Sequence, residues 1–334
     1  MKVFWKEILA CAVMGIAVPG MLLEAGGFFS PGPEQIAETA ASETESLQTE
    51  AALAFAPAAP AVTMQLLKED GTGEEMEMDE YLVGVVLAEM PAYFEPEALK
   101  AQSVAARTYT RKTCLEQDKH AGSVCTDFSC CQAYISQEDY IARGGTEEGI
   151  QKIREAVQAT SGMVLTYGGS LIEATYFSCS GGSTEDAAAV WGAEYPYLKA
   201  VASPGEENAE FYEDTVLFSP ESFNRALGTE LTGSPAQWIG EFTRTPGGGV
   251  DLIHIGGKTY EGRTLRRLLG LRSTAFTMTG AENGVAVTTR GFGHRVGMSQ
   301  YGADAMAASG SSYQEILAHY YQGAVLEKIH DSIA

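Results

Sequence analysis

The sequence predicts an α+β fold. Three features point there. Short alternating stretches bounded by glycine turns read as hairpins. Alanine- and leucine-rich stretches with helix start and stop signals read as helices. The two kinds come in runs, without the strand–helix–strand alternation of a doubly wound parallel sheet. The 334-residue chain is 45% hydrophobic, enough to build a core. Its formal net charge of -22 argues against nucleic-acid binding, which needs a basic face to neutralise phosphates. Such a balance suits a protein kept soluble by self-repulsion outside the cytoplasm.

Residues 1–29 read as an N-terminal anchor. Lys2 and Lys6 precede an apolar run from Ile8 to Leu23, which favours an uncleaved membrane anchor over a removed signal peptide. Residues 30–61, rich in Ala, Pro, Ser and Glu, read as a disordered linker. The remainder, 62–328, is the folded domain. It opens with a hairpin, Val62–Leu67 returning through Met76 and Met78, followed by Asp79 as N-cap of a helix, "EYLVGVVLAEM", that Pro91 ends. Pro96 starts a second helix running through "EALKAQSVAARTYTRKTCLEQ". A cysteine-bearing loop, "HAGSVCTDFSCCQAY", precedes a helix over 146–160. "MVLTYGGSLIEATYFSCSGG" reads as a hairpin turning at Gly168-Gly169, and an acidic lobe follows. "GEFTRTPGGGVDLIHIGGKTYEG" is a meander, "GRTLRRLLG" a helix closed by Gly270, and "TAFTMTGAENGVAVTTRG" another hairpin. "GMSQYGADAMAASG" and "SYQEILAHYYQG" are two short helices ended by glycine.

Glu89 stands out chemically. It sits in the last turn of its helix, where the macrodipole disfavours an anion, among Val85, Val86, Leu87, Met90, Tyr93 and Phe94. Dipole and desolvation both raise a carboxylate pKa, and a glutamate that keeps its proton near neutral pH can act as a general acid. An ordinary glutamate at a helix end is the alternative. Arg107 lies on the next helix; antiparallel packing of the pair brings it toward the same site. Gln102 and Ser103 share that helix. The cysteine loop carries His120, Cys125, Cys130 and Cys131. Its spacing is not that of a common zinc knuckle, and outside the cytoplasm a disulfide competes with a metal.

Several stretches in order, "DEYLVGVVLAEMP", "ALKAQSVAARTY", "FSCSGGSTED", "VWG" with "YPYLKAVASP", and "GFGHRVGMSQYGADAMAASGSSYQEILAHYYQG", resemble the stage II sporulation protein D family. The resemblance implies a lytic transglycosylase that cuts peptide-free peptidoglycan glycan strands during engulfment in endospore formation. It implies partnership with stage II sporulation proteins M and P, and a membrane-anchored catalytic domain in the space between mother-cell and forespore membranes. Motif by motif, Glu89 matches the catalytic acid/base, and Arg107, Tyr197 and Lys199 match residues tied to activity. Gln102, Ser178, Ser180, Thr184, Glu185, His294, Gln300 and Tyr301 match substrate-groove positions. Relatives with this His…Cys…Cys-Gln run bind zinc, which implies His120, Cys125 and Cys131 as ligands. One departure is Arg295, where members of the family commonly carry glycine. Two rival readings are a non-catalytic glycan-binding amidase enhancer and a zinc-dependent hydrolase. A transglycosylase needs no activated water, so one carboxyl group suffices, and the single conspicuous Glu89 fits that chemistry.

Overall fold

The computed structural model describes residues 63–68, 71–115, 120–128 and 130–329. The expected anchor and linker lie outside them. The chain divides into units 1–58 and 59–334, and everything below concerns the second. No helix among the described residues is long and apolar enough to cross a membrane.

The architecture is α+β, with helices packed among small sheets. The first hairpin pairs β1 (Thr63–Leu67) with β2 (Gly73–Glu77), and β3 (Ser123–Cys125) from the cysteine loop adds to β1 in parallel. Helix α1 (Met78–Glu89) begins two residues earlier than the sequence suggests, with Glu77 at its N-cap and no capping side chain. Met78 is therefore helical, and Asp79 is free to pair elsewhere. Helix α2 (Pro96–Tyr109) ends in a π-turn over Thr110–Leu115. It is the axis of the main core: Ala98, Leu99, Ala101, Val104, Ala105 and Ala106 are all fully buried. Small alanine side chains let α1, α4 (Glu147–Ala159), β4 (Met163–Tyr167), α8 (Gln300–Ala308) and α9 (Tyr313–Tyr320) pack around one helix. Two further short helices, α3 (Gln137–Ala142) and α5 (Ala187–Trp191), are capped by Ser136 and Asp186.

The expected hairpin turning at Gly168-Gly169 forms over 166–171, but residues 176–177 pair elsewhere. Strand β4 pairs with β5 (Ser170–Leu171) and with the last strand, β14 (Val325–Lys328). Strand β6 (Tyr176–Phe177) instead runs parallel to β13 (Met298–Ser299), with Met298 opposite Tyr176 and Ser299 opposite Phe177. This long-range pairing delivers the start of α8 to the site. The acidic stretch leads into β7 (Glu213–Phe218) and α6 (Pro220–Leu227). With the expected meander, β8 (Ile239–Arg244), β9 (Val250–Ile255) and β10 (Lys258–Glu261), the helix α7 (Gly262–Leu269), and the hairpin β11 (Phe276–Ala281) with β12 (Gly284–Arg290), these build a second core. Phe223, Trp238, Ile253, Leu265, Phe276 and Val287 fill it.

Candidate active site

Glu89 closes α1, and the backbone turns extended at Met90. Burial raises its carboxyl pKa above the ordinary value; hydrogen bonds from Gln300 and from the Ala133 backbone partly offset the rise. Gln300 opens α8, and its Nε2 donates to Glu89 Oε2 at 3.3 Å. The Ser299 side chain caps this helix by accepting from Gly302 N, which holds Gln300 in place. Behind the carboxylate stands Tyr176. Its phenol is pushed well up by burial, and the nearby charge of Glu89 adds to the effect. The Tyr176 hydroxyl donates to Gln132 Oε1 at 2.7 Å, and Gln132 Nε2 donates to Thr110 Oγ1 at 2.7 Å. Among the described residues, the groups that act on the Glu89 carboxyl are amides, not other carboxylates.

Two aromatic clusters follow on other elements, one with Tyr93, Phe94 and Tyr301, the other with Trp191, Tyr195 and His294. Tyr301 packs edge-on against Phe94 at 5.0 Å, and its hydroxyl, raised to about 12 by burial and by Tyr93, lies beside the highly exposed Tyr93. Trp191 is 41% exposed and packs against His294 at 5.5 Å and Tyr195 at 6.5 Å. His294 Nδ1 accepts from Val296 N. Burial, with help from Arg266, lowers its pKa to about 4, so it is neutral at physiological pH. The exposed rings of Tyr93 and Trp191 suit a ligand with apolar faces and polar edges.

His120, Cys125, Cys130 and Cys131 converge next to this site. Their ligand atoms all lie within 4.8 Å of one another, and His120 Nε2 is 3.2 Å from Cys130 Sγ. Burial and the adjoining thiols push Cys125 upward and Cys130 to about 11. The described cysteines are free thiols, so Cys125 and Cys131 are not bridged. One imidazole and three thiols in this space match the donor set of a tetrahedral structural zinc centre. The sequence expectation named three of these residues as ligands; Cys130 lies in the same cluster. If all four bound a metal, no position would be left for a water. Two residues beyond Cys131, the Ala133 backbone reaches Glu89.

The family described as stage II sporulation protein matches residues 68–167. Stage II sporulation protein D of Bacillus subtilis is 42% identical over 261 residues, covering 76% of this chain and 76% of that protein. The chain belongs to the stage II sporulation protein D family. The corresponding protein of Bacillus amyloliquefaciens is 42% identical over 256 residues, covering 75% and 74% of the two chains. An amidase enhancer of Bacillus subtilis is 29% identical over 299 residues, covering 73% of this chain and 40% of that protein.

Within this member of the family, not every motif residue faces the acid. Arg107 is 2% exposed; it donates to Asp79 Oδ1 at 2.9 Å and to the carbonyls of Thr160, Val157 and Met163. Asp79 lies in the first turn of α1 and Glu89 in its last, about 15 Å apart at the helical rise. Arg107 thus clamps the far end of the helix pair, correcting the expectation that it reaches Glu89. Ser180, Thr184 and Glu185 are fully buried, so they do not line an open groove. Ser180 Oγ donates to the buried Glu206, and Glu185 accepts from Thr245 Oγ1 and Gly247 N. Their burial goes with hydrogen bonds to segments from elsewhere in the chain, residues 199–201 and 245–247. Gln102 is also fully buried, and neither of its amide atoms has a hydrogen bond.

Tyr197 is largely buried; its hydroxyl accepts from Glu173 N, and its ring packs on Tyr167 and Tyr195. Lys199 pairs with Asp186 at 3.3 Å. Ser178 is partly buried, and its carbonyl accepts from Tyr301 N. Arg295 adopts φ +67°, the left-handed region that glycine favours. Its side chain is held by three carbonyls, those of Ser180, Ser183 and Gly247, which offsets the backbone cost. Sequence reasoning missed Gln132, Tyr176 and Trp191 as site residues. Gln132 and Trp191 lay within quoted motifs, but only the fold shows what they touch.

Proposed function

We propose that this chain is a lytic transglycosylase acting on peptide-free peptidoglycan glycan strands. The observation that carries this reading is the desolvated carboxyl of Glu89, whose pKa is raised by burial and which accepts hydrogen bonds from Gln300 and the Ala133 backbone. Protonated Glu89 donates its proton to the glycosidic oxygen as the bond from the muramic acid C1 breaks. The carboxylate then takes the proton of the same sugar's C6 hydroxyl, whose oxygen bonds to C1 and closes a 1,6-anhydro ring. No water is consumed, so no second carboxylate at the ~5–9 Å spacing of hydrolases is needed. Gln300 and the Ala133 backbone stabilise the anion formed midway. Tyr93, Tyr301 and Trp191 offer stacking faces to sugar rings.

His120, Cys125, Cys130 and Cys131 would hold zinc. Bound there, the ion would cross-link the loop and favour thiolates. The loop's own residues then set Ala133 against Glu89 and Gln132 against Tyr176. A closed four-ligand set speaks against a zinc-activated water. By family, the site of action is engulfment, outside the cytoplasmic membrane, with an N-terminal anchor and with stage II sporulation proteins M and P as partners.

A second reading, a glycan-binding amidase enhancer, draws support from the similarity to the amidase enhancer of Bacillus subtilis. Mass spectrometry of strands digested by the purified protein tests both. Products about 18 mass units lighter than reducing-end fragments are expected, because no water is added. Reducing-end products alone would overturn the transglycosylase reading. Absence of any cut, with stimulation of an added amidase, would favour the second.

A further inference from the structure

A cleft of about 510 Å³, whose lining does not include Glu89, is formed by Gly181, Gly182, Arg244, Gly247, Arg290 and Arg295 among others. Three guanidinium groups meet there, in a chain whose net charge is -22. The acid on the lining is Glu213, which accepts from Arg290 Nε at 2.8 Å. Among the described residues the Arg290 guanidinium makes no other hydrogen bond, and its side chain is 59% exposed. Arg244 is held over the Phe242 ring at 4.8 Å and donates to Gly248 O and Phe276 O. Arg295 forms the floor, 2% exposed, with Nη1 lacking a hydrogen bond and 3.8 Å from the buried Glu185.

The glycines keep the floor bare. A Cβ at Gly181 would stand 2.6 Å from Gly291 N, and Gly182 has φ +109°. The cleft connects to the acid through a short run of neighbouring residues. Gly181 follows Ser178 by three residues, at most about 10 Å. The Ser178 carbonyl accepts from Tyr301 N, next to Gln300, which donates to Glu89.

We propose that this cleft is a carboxylate subsite for the lactyl group of a peptide-free muramic acid residue near the bond being cut. The inference rests on the glycan-strand reading above. When a stem peptide is removed from muramic acid by amide hydrolysis, the lactyl group becomes a carboxylate; in intact wall it is a neutral amide. An acidic protein repels such an anionic polymer everywhere except where its cations gather. Arginine forks suit a carboxylate because two parallel N–H donors match its two oxygens. The cleft therefore selects strands already stripped of peptide by charge, in addition to shape.

The test measures binding in the full chain carrying Glu89→Gln, so that no cleavage intervenes. Fluorescent peptide-free strands are compared with the same strands after conversion of their lactyl carboxylates to methylamides. The methylamide strands are expected to bind roughly ten- to a hundredfold more weakly. Adding Arg244→Gln with Arg290→Gln should erase that preference while leaving the thermal midpoint near the parent's, since both side chains lie at the surface. Equal affinity of the parent for both strands, a preference kept by the triple variant, or binding of neither strand would overturn the proposal. The glycan reading fails separately: a chain that prefers carboxylate strands but, with Glu89 present, releases no anhydro ends would sustain the subsite and refute the transglycosylase.

Discussion

Replacing Arg107 by alanine should cost stability, not chemistry. The side chain is 2% exposed and makes contacts to Asp79, Thr160, Val157 and Met163 at 2.9, 2.6, 3.3 and 3.3 Å. Truncation removes the guanidinium from three carbonyls and one carboxylate, although Thr160 O and Val157 O keep backbone donors. Breaking a buried charge pair by removing one partner costs about 3–5 kcal/mol. The Asp79 side chain is 32% exposed and can rehydrate, which places the loss in the lower part of that range, about 3–4 kcal/mol. At about 2–4 °C per kcal/mol for a domain of this size, the midpoint should fall by roughly 6–16 °C. The assay is thermal unfolding followed by circular dichroism, paired with strand cleavage measured well below the variant's midpoint. Cleavage per folded molecule should stay within a few-fold of the parent, because the clamp is about 15 Å from Glu89 along α1. A variant with an unchanged midpoint and no cleavage would refute this reasoning and return Arg107 to the reacting site.

Glu89→Gln should lower cleavage by roughly two to four orders of magnitude while leaving strand binding intact. Because burial raises the Glu89 pKa, its charged form is disfavoured in the folded state. The stability tied to this group is present below the unfolded pKa and is lost as pH rises through the folded one. Glu89→Gln should therefore match the parent's midpoint near pH 4 and exceed it at pH 7, and an equal or lower midpoint at pH 7 would contradict the burial argument. Purified protein should carry about one zinc per chain by metal analysis, and Cys130→Ser should weaken that binding as Cys125→Ser does. Full zinc retention by Cys130→Ser would restore the three-ligand centre.

The elements with strong local signals were legible from the chain. The hairpin turning at Glu282-Asn283, the helix closed by Gly270 at φ 66°, and the 147–159 helix capped by Thr146 all formed where turn and cap chemistry placed them. The pairing of residues 176–177 with 298–299 was not legible, because a two-residue parallel contact across more than 100 positions leaves no periodic trace in either stretch.

At the site, the misplacement of Glu89 was visible in sequence because a carboxylate at a helix C-terminus opposes a local rule. The convergence of His120 with the three thiols was only suggested, since spacing does not say how a loop closes. Burial was decided by tertiary structure alone. "SCSGGSTED" is polar by composition and reads as a surface strip, yet Ser180, Thr184 and Glu185 are fully buried. Their hydrogen-bonding partners, Glu206, Lys199 O and the 245–247 turn, come from elsewhere in the chain. Arg107 likewise turned from a candidate for chemistry into a clamp. A helix sequence says which residues share a face, but the antiparallel register of two helices decides which end each one meets, and that register is a property of the packed core.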